Sequence, residues 1–191
     1  MKTVEQELKL LLDEREYGIL LKASNAESQL QTNYYFSYDG MPIDTMVRVR
    51  HKGQQYMLCY KHRVSNSKGV SVCEERECEI SADFFDSLQR RGIYPSELNV
   101  LLGCNLTETL YYLGSMQTYR AKFNMESWTV ELDKNVYLDQ TDFELECEND
   151  DVASLDKLKN YLFYTYGVTI RPSCAKVERF FAAQKRIVKQ Q

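Results

Sequence analysis

Apolar and charged residues alternate along much of this chain. Such alternation marks strands whose two faces differ. Residues 46–52 set Val47 and Val49 against Arg48, Arg50 and Lys52. Lys52-Gly53-Gln54 then turns the chain into 55–63, where Tyr56, Leu58 and Tyr60 oppose Met57, Cys59 and Lys61. This pair predicts a β-hairpin. Residues 70–80 read as a further strand, with Glu75, Glu77 and Glu79 on one parity. Three later segments repeat the pattern: 109–124 sets Arg120 and Lys122 against Tyr119, Ala121 and Phe123; 126–137 sets Glu131 and Asp133 against Val130 and Leu132; 142–148 sets Glu144, Glu146 and Glu148 against Phe143, Leu145 and Cys147. The aromatic run 29–38 predicts a strand ended by the turn signals Asp39-Gly40 and Pro42. Residues 65–69 read as a polar loop.

Helical spacing appears between these strands. Asp13, with Glu16 three residues on, predicts an N-cap and a helix to about Ala23. Ser81 caps a short helix over 82–91 that stops near Gly92, and Pro95 opens another through Leu102. Residues 152–166 predict an amphipathic helix with Leu155, Leu158, Leu162 and Phe163 as its buried face. A last helix covers 175–188, with Val177, Phe180 and Phe181 apolar and Arg179, Lys185, Arg186 and Lys189 read as a solvated face. Near the N-terminus, Glu5-Gln6-Glu7-Leu8-Lys9 reads two ways. As a helix it carries a Glu5/Lys9 pair at i,i+4 and an apolar stripe. As a strand it places Glu5, Glu7 and Lys9 on one face, which suits a site for a metal and a phosphate. The company of so many charged-face strands favours the strand.

With 191 residues, 43% hydrophobic and 27% charged, the chain is long enough for one domain with a sizeable core. No linker or internal repeat divides it. The net charge of −4 and pI of about 5.4 give no support to a nucleic-acid surface. No run is long enough to span a membrane, and a cytoplasmic location is expected. Six cysteines form no CxxC, so buried free thiols are expected rather than a zinc site. Only His51 and His62 are present, which argues against a His-based triad or multi-histidine metal centre. There is no glycine-rich phosphate loop.

The charged faces carry both signs. Glu5, Glu7, Glu77, Glu79, Glu131, Asp133, Glu144 and Glu146 are acidic; Lys9, Arg48, Arg50, Lys61, Arg120 and Lys122 are basic. A sheet with one wet face gives this pattern with its charges merely solvated. A closed barrel with the charges pointing inward gives it too, provided cations, anions and water complete the pairing. Carboxylates then hold a hard divalent cation, while Arg and Lys clamp phosphate oxygens.

Glu5-x-Glu7-x-Lys9 resembles the ExExK signature of the CYTH family, the triphosphate tunnel metalloenzymes. Gln31-Thr32-Asn33-Tyr34-Tyr35-Phe36, Arg48-x-Arg50, the strand ending at Lys61, Leu113-Gly114-Ser115 leading to Arg120, Asp142-Phe143-Glu144-Leu145-Glu146 and Lys176-Val177-Glu178-Arg179-Phe180 resemble later pieces of that family in the same order. The match covers nearly the whole chain and is similar to a bacterial branch with QTNYYF and LGS elements. The resemblance implies an α+β fold: a closed antiparallel eight-stranded β tunnel with flanking helices, often a homodimer. It implies Mg²⁺ or Mn²⁺ and a small molecule bearing a triphosphate, with inorganic tripolyphosphate hydrolysis as the leading activity. Adenylate cyclase chemistry at the same site, and polyphosphate binding without turnover, are the alternatives. It makes Glu5, Glu7, Glu144 and Glu146 metal ligands. Lys9, Arg48, Arg50, Lys61, Arg120 and Lys176 become triphosphate-binding catalytic residues, with Glu77, Glu79, Lys122 and Asp133 as secondary members. Cys174 stands where the family often has a first lysine of the C-terminal pair. The aromatics of 31–36 read as packing.

Overall fold

The computed structural model describes residues 2–5, 7–42, 44–67, 70–149 and 151–188, with side chains described for 7–42, 44–63, 74–149 and 151–187. Nine strands and five helices follow in the order β1 (Lys2–Glu5), β2 (Glu7–Leu12), α1 (Glu14–Ser24), β3 (Gln29–Ser37), β4 (Thr45–Lys52), β5 (Gln55–Ser67), β6 (Val70–Ile80), α2 (Ala82–Arg91), α3 (Pro95–Leu102), β7 (Tyr111–Met125), β8 (Trp128–Tyr137), β9 (Gln140–Glu148), α4 (Val152–Tyr166) and α5 (Lys176–Val188). The chain arranges as two compact units. The first takes residues 1–4, 31–66 and 72–116; the second takes 5–30, 67–71 and 117–191.

In the first unit the strand order is β1-β6-β5-β4-β3-β7. The β4–β5 hairpin is antiparallel, with Arg48 opposite Cys59 and Arg50 opposite Met57. The β3–β4 pair sets Asn33 opposite Arg50 and Tyr35 opposite Arg48. Alternation therefore sends Phe36, Val47, Val49 and Leu58 to the other face, where they form a core with Phe85 and Leu88 of α2 and Leu98 and Leu102 of α3. Ser81 caps α2 by accepting from the Phe84 N–H. Gly92 ends α2 at φ +86°, and a Cβ there would meet the Leu110 carbonyl oxygen at 2.5 Å, so only glycine fits.

In the second unit the order is β7-β8-β9-β2, and both β8–β9 and β2–β9 are antiparallel. Leu8, Leu10 and Leu12 are buried while Glu7, Lys9 and Leu11 are half-buried, an alternation that only a strand produces. The helical alternative for this stretch is excluded. Leu10, Leu132 and Leu145 pack with Leu20 of α1 and Leu158 and Leu162 of α4. Phe163, expected on the same buried face, is instead 52% exposed, because it follows Leu162 directly and so points about 100° away from that face. Asp13 and Glu16 form the capping box, each side chain accepting from the other's backbone N–H at 2.8 and 2.9 Å.

The expected N-terminal strand is present on both sides of Gln6, which lies outside the described residues, and counting β1 and β2 as that one strand gives the eight strands of the expected antiparallel sheet. Other boundaries differ from expectation. Glu126 lies in a turn with φ +52° rather than in β8, because a two-residue hairpin needs left-handed backbone there. β9 begins at Gln140, two residues before the expected start at Asp142. β5 runs on to Ser67 where a loop was expected, since main-chain pairing tolerates polar side chains. Among the described residues no helix is long and apolar enough to cross a membrane.

Candidate metal and phosphate site

Strand register builds the acidic centre. β8–β9 pairing puts Glu131 opposite Glu146 and Asp133 opposite Glu144. Two like charges directly across a ladder repel. Burial worsens this: Asp133 and Glu144 are fully buried and Glu146 is 7% exposed. Such a cluster folds only if cations are brought to it.

Lys176, at the first position of α5, supplies one. Its Nζ lies 3.0 Å from Asp133 Oδ2, 2.6 Å from Glu144 Oε2 and 2.8 Å from Glu146 Oε1. Lys9 stands opposite Glu146 across the β2–β9 pair. Its Nζ is 3.0 Å from both Glu146 and Glu7. Arg120 donates from Nε to Asp133 Oδ1 at 2.8 Å and from Nη2 to Glu146 Oε2 at 2.7 Å, and it also contacts Glu131. Lys122 is exposed and reaches Glu131 at 3.0 Å. Arg179 donates from Nε to Asp142 at 2.9 Å and from Nη2 to Glu144 at 3.0 Å. It also donates to Ser173 Oγ and to the Cys174 carbonyl.

These neighbours decide the protonation states. Burial pushes the Glu146 carboxyl up, but Lys176, Lys9 and Arg120 together hold it far below the usual carboxylate range. Burial likewise works against charge on Lys176. Glu146, Glu144 and Asp133 outweigh it, so the ammonium stays protonated well above the usual lysine range. A carboxyl depressed in the folded state stabilises the fold above its unfolded pKa of about 4.3, and that contribution is lost as pH falls towards the folded value. The wild-type protein is therefore expected to lose stability steadily between about pH 4.5 and pH 3, and Glu146→Gln to lose less over the same interval. Denaturant melts at the two pH values read this out; equal losses would refute the assignment.

Asp133, Glu144 and Glu146 each offer an oxygen, and these oxygens lie within 4.8 Å of one another. The donors are hard and all oxygen, as Mg²⁺ or Mn²⁺ requires. Among the described residues, six carboxylates (Glu7, Glu131, Asp133, Asp142, Glu144, Glu146) face five cations (Lys9, Arg120, Lys122, Lys176, Arg179). The excess of negative charge fits a cation as well.

The second unit thus brings together Glu7, Lys9, Arg120, Lys122, Asp133, Glu144, Glu146 and Lys176. The Glu5 side chain lies outside the described residues, as does Lys189. Arg48, Arg50 and Lys61 belong to the first unit, on one face of β4 and β5. Arg50 Nη1 is 3.8 Å from Glu77 and Lys61 Nζ is 3.7 Å from Glu75, while Glu79 is exposed. Around the two arginines this face is partly buried: Asn33 and Tyr35 are each 1% exposed and Cys59 is fully buried. The Nε atoms of Arg48 and Arg50 are buried there without a hydrogen-bond partner among the described residues. Burial pushes the Cys59 thiol up to about 12, so it stays protonated.

Two residues of the site correct the reading from sequence. Arg179, expected on a solvated face, has only 11% of its side chain exposed and binds two carboxylates. Its spacing of three from Lys176 places both on one helix face, which was the available signal. Asp142 shares the parity of Glu144 and Glu146 but lay at the edge of the expected strand. It accepts from Asn135 Nδ2 at 2.9 Å and from the Tyr137 hydroxyl at 2.7 Å.

The family model for the CYTH domain matches residues 3–181. YjbK of Bacillus subtilis, which carries a provisional triphosphatase name, is 24% identical over 97% of this chain and 98% of its own length. A Bacillus halodurans crystal structure, provisionally named an adenylate cyclase, superposes with a TM-score of 0.76 at 22% identity, covering 94% of this chain and 98% of that one. A provisionally named adenylyl cyclase from Hippeastrum, described as having a dominant triphosphatase activity, gives a TM-score of 0.76 at 22% identity over 94% of this chain and 96% of that one.

Proposed function

This chain belongs to the CYTH domain family, and from that premise we propose that it is a divalent-metal-dependent hydrolase of triphosphates whose leading substrate is inorganic tripolyphosphate. The observation that carries the proposal is the buried Asp133–Glu144–Glu146 group ringed by Lys9, Arg120 and Lys176. Bound there, Mg²⁺ or Mn²⁺ supplies Lewis-acid stabilisation of charge on phosphoryl oxygens. Asp133, Glu144 and Glu146 hold it, with Glu5 and Glu7 completing the acidic set. Lys9, Arg120 and Lys176 offset the charge of the triphosphate. Arg48, Arg50 and Lys61 take the same role, a reading supported by the family's motif order and by the buried Nε atoms of the two arginines, which have no hydrogen-bond partner among the described residues. Phosphoryl transfer depends mainly on positioning and electrostatics, which a buried array of fixed charges provides. The closed tunnel expected from the resemblance is part of the same proposal.

The experiment is a substrate panel of tripolyphosphate, ATP and thiamine triphosphate, each with Mg²⁺, Mn²⁺ or Ca²⁺. Tripolyphosphate should give the highest kcat/KM; a preference for ATP with release of cyclic product would support cyclase chemistry, which names carried by the relatives keep in view. Arg50→Ala tests the first unit's share. Its kcat/KM should fall by about a hundredfold, the effect of losing one charged transition-state contact, with the denaturation midpoint unchanged. Undiminished turnover would remove Arg50 from the site.

A further inference from the structure

We propose that Lys176 and a divalent cation are alternative occupants of the Asp133–Glu144–Glu146 pocket, so that the Lys176 ammonium must leave before the cation is bound and is thereby freed to meet a phosphate. The proposal rests on the metal-dependent reading given above and adds what the lysine does in it. Lys176 Nζ touches one oxygen of each of the three carboxylates at 2.6 to 3.0 Å. Those are the groups whose oxygens come within 4.8 Å of one another. A Mg²⁺ ion, which takes oxygen ligands at about 2.0–2.1 Å, would occupy the space the ammonium now fills. Two cations that close, with no anion between them, repel strongly in a buried site.

The other cations are placed differently. Lys9 holds Glu146 from the β2 side together with Glu7, and Arg120 spans Asp133, Glu146 and Glu131. Each keeps a carboxylate outside the group of three, so each can stay when the pocket fills. Lys176 is bound to those three alone among the ion pairs of the described residues.

Its helix can hold its place when the ammonium goes. Arg179, one turn on, is tied to Asp142, Glu144, the Ser173 hydroxyl and the Cys174 carbonyl. A lysine stem can swing by side-chain rotation alone while that anchor holds α5. The order of events follows: cation first, then triphosphate, with the released ammonium serving the second.

The test uses reductive methylation of the unmodified protein, read by mass spectrometry, with Lys159, whose side chain is 37% exposed, as reference. In chelator, Lys176 should react about tenfold more slowly than Lys159, as a buried, ion-paired amine does. Saturating Mg²⁺ should raise the Lys176 rate about fivefold and leave Lys159 unchanged. An unmoved Lys176 rate, at a Mg²⁺ concentration that raises the melting temperature, overturns the proposal. Lys176→Met gives the second reading by calorimetry: Mn²⁺ should bind about tenfold more tightly than to wild type, because a competitor is gone. Equal or weaker binding overturns the proposal. If the variant does not fold, the methylation result decides alone. Absence of Mn²⁺ binding to the wild-type protein overturns the metal-dependent reading itself, and this proposal with it.

Discussion

Glu146→Gln is expected to lower triphosphate hydrolysis by about a thousandfold, the scale of removing one preorganised charged group from a transition-state site. Glu146 is the most connected acid of the cluster, meeting Lys9 at 3.0 Å, Arg120 at 2.7 Å and Lys176 at 2.8 Å. The amide keeps the shape and removes the charge. One metal ligand is weakened, and three cations lose the group that fixes their positions. Folding should survive, since carboxylates outnumber cations around the site and Asp133 and Glu144 still engage Lys176. Steady-state kinetics with Mn²⁺ and tripolyphosphate, beside a circular dichroism spectrum, check both halves. A folded variant with a kcat within about threefold of wild type would remove Glu146 from catalysis.

The second large effect is on stability. Lys176→Met should destabilise the protein by about 3–5 kcal/mol in chelator, the range found when one partner of a buried ion pair is removed. Three carboxylates lose their shared ammonium at once, and two of them, Asp133 and Glu144, are fully buried. Arg120 and Arg179 remain on Asp133, Glu146 and Glu144, which keeps the loss within that range. Mg²⁺ should return most of it by neutralising the same oxygens, as any ligand of the native state does. Urea denaturation with and without Mg²⁺ measures this. A loss under about 1 kcal/mol is what an exposed ion pair gives, and would mean the ammonium is not holding the cluster together.

Much of this was legible in the letters. The alternation in 46–52 and 55–63 correctly separated Arg48, Arg50, Cys59 and Lys61 from Val47, Val49 and Leu58. Helix limits at 82–91, 95–102 and 152–166 were readable because Ser81, Gly92, Pro95 and Gly167 punctuate them. Burial of the charged faces was not readable. A parity pattern says which residues share a face but not whether water reaches it, and only the β8–β9 register sets Asp133 against Glu144. Arg179 was misplaced for the related reason that a basic residue on an amphipathic helix looks solvated until its carboxylate partners, 35 and 37 residues away in sequence, are known.

On the proposed function, ionised side chains buried in the second unit hold a divalent cation for the cleavage of a triphosphate. Phosphate release from tripolyphosphate by the purified wild-type protein, measured with Mn²⁺ or Mg²⁺ and again in excess chelator, tests it most directly. Turnover should be sustained with metal, absent in chelator and restored when metal is added back. Turnover that persists undiminished in chelator, or none with any divalent metal, would contradict it.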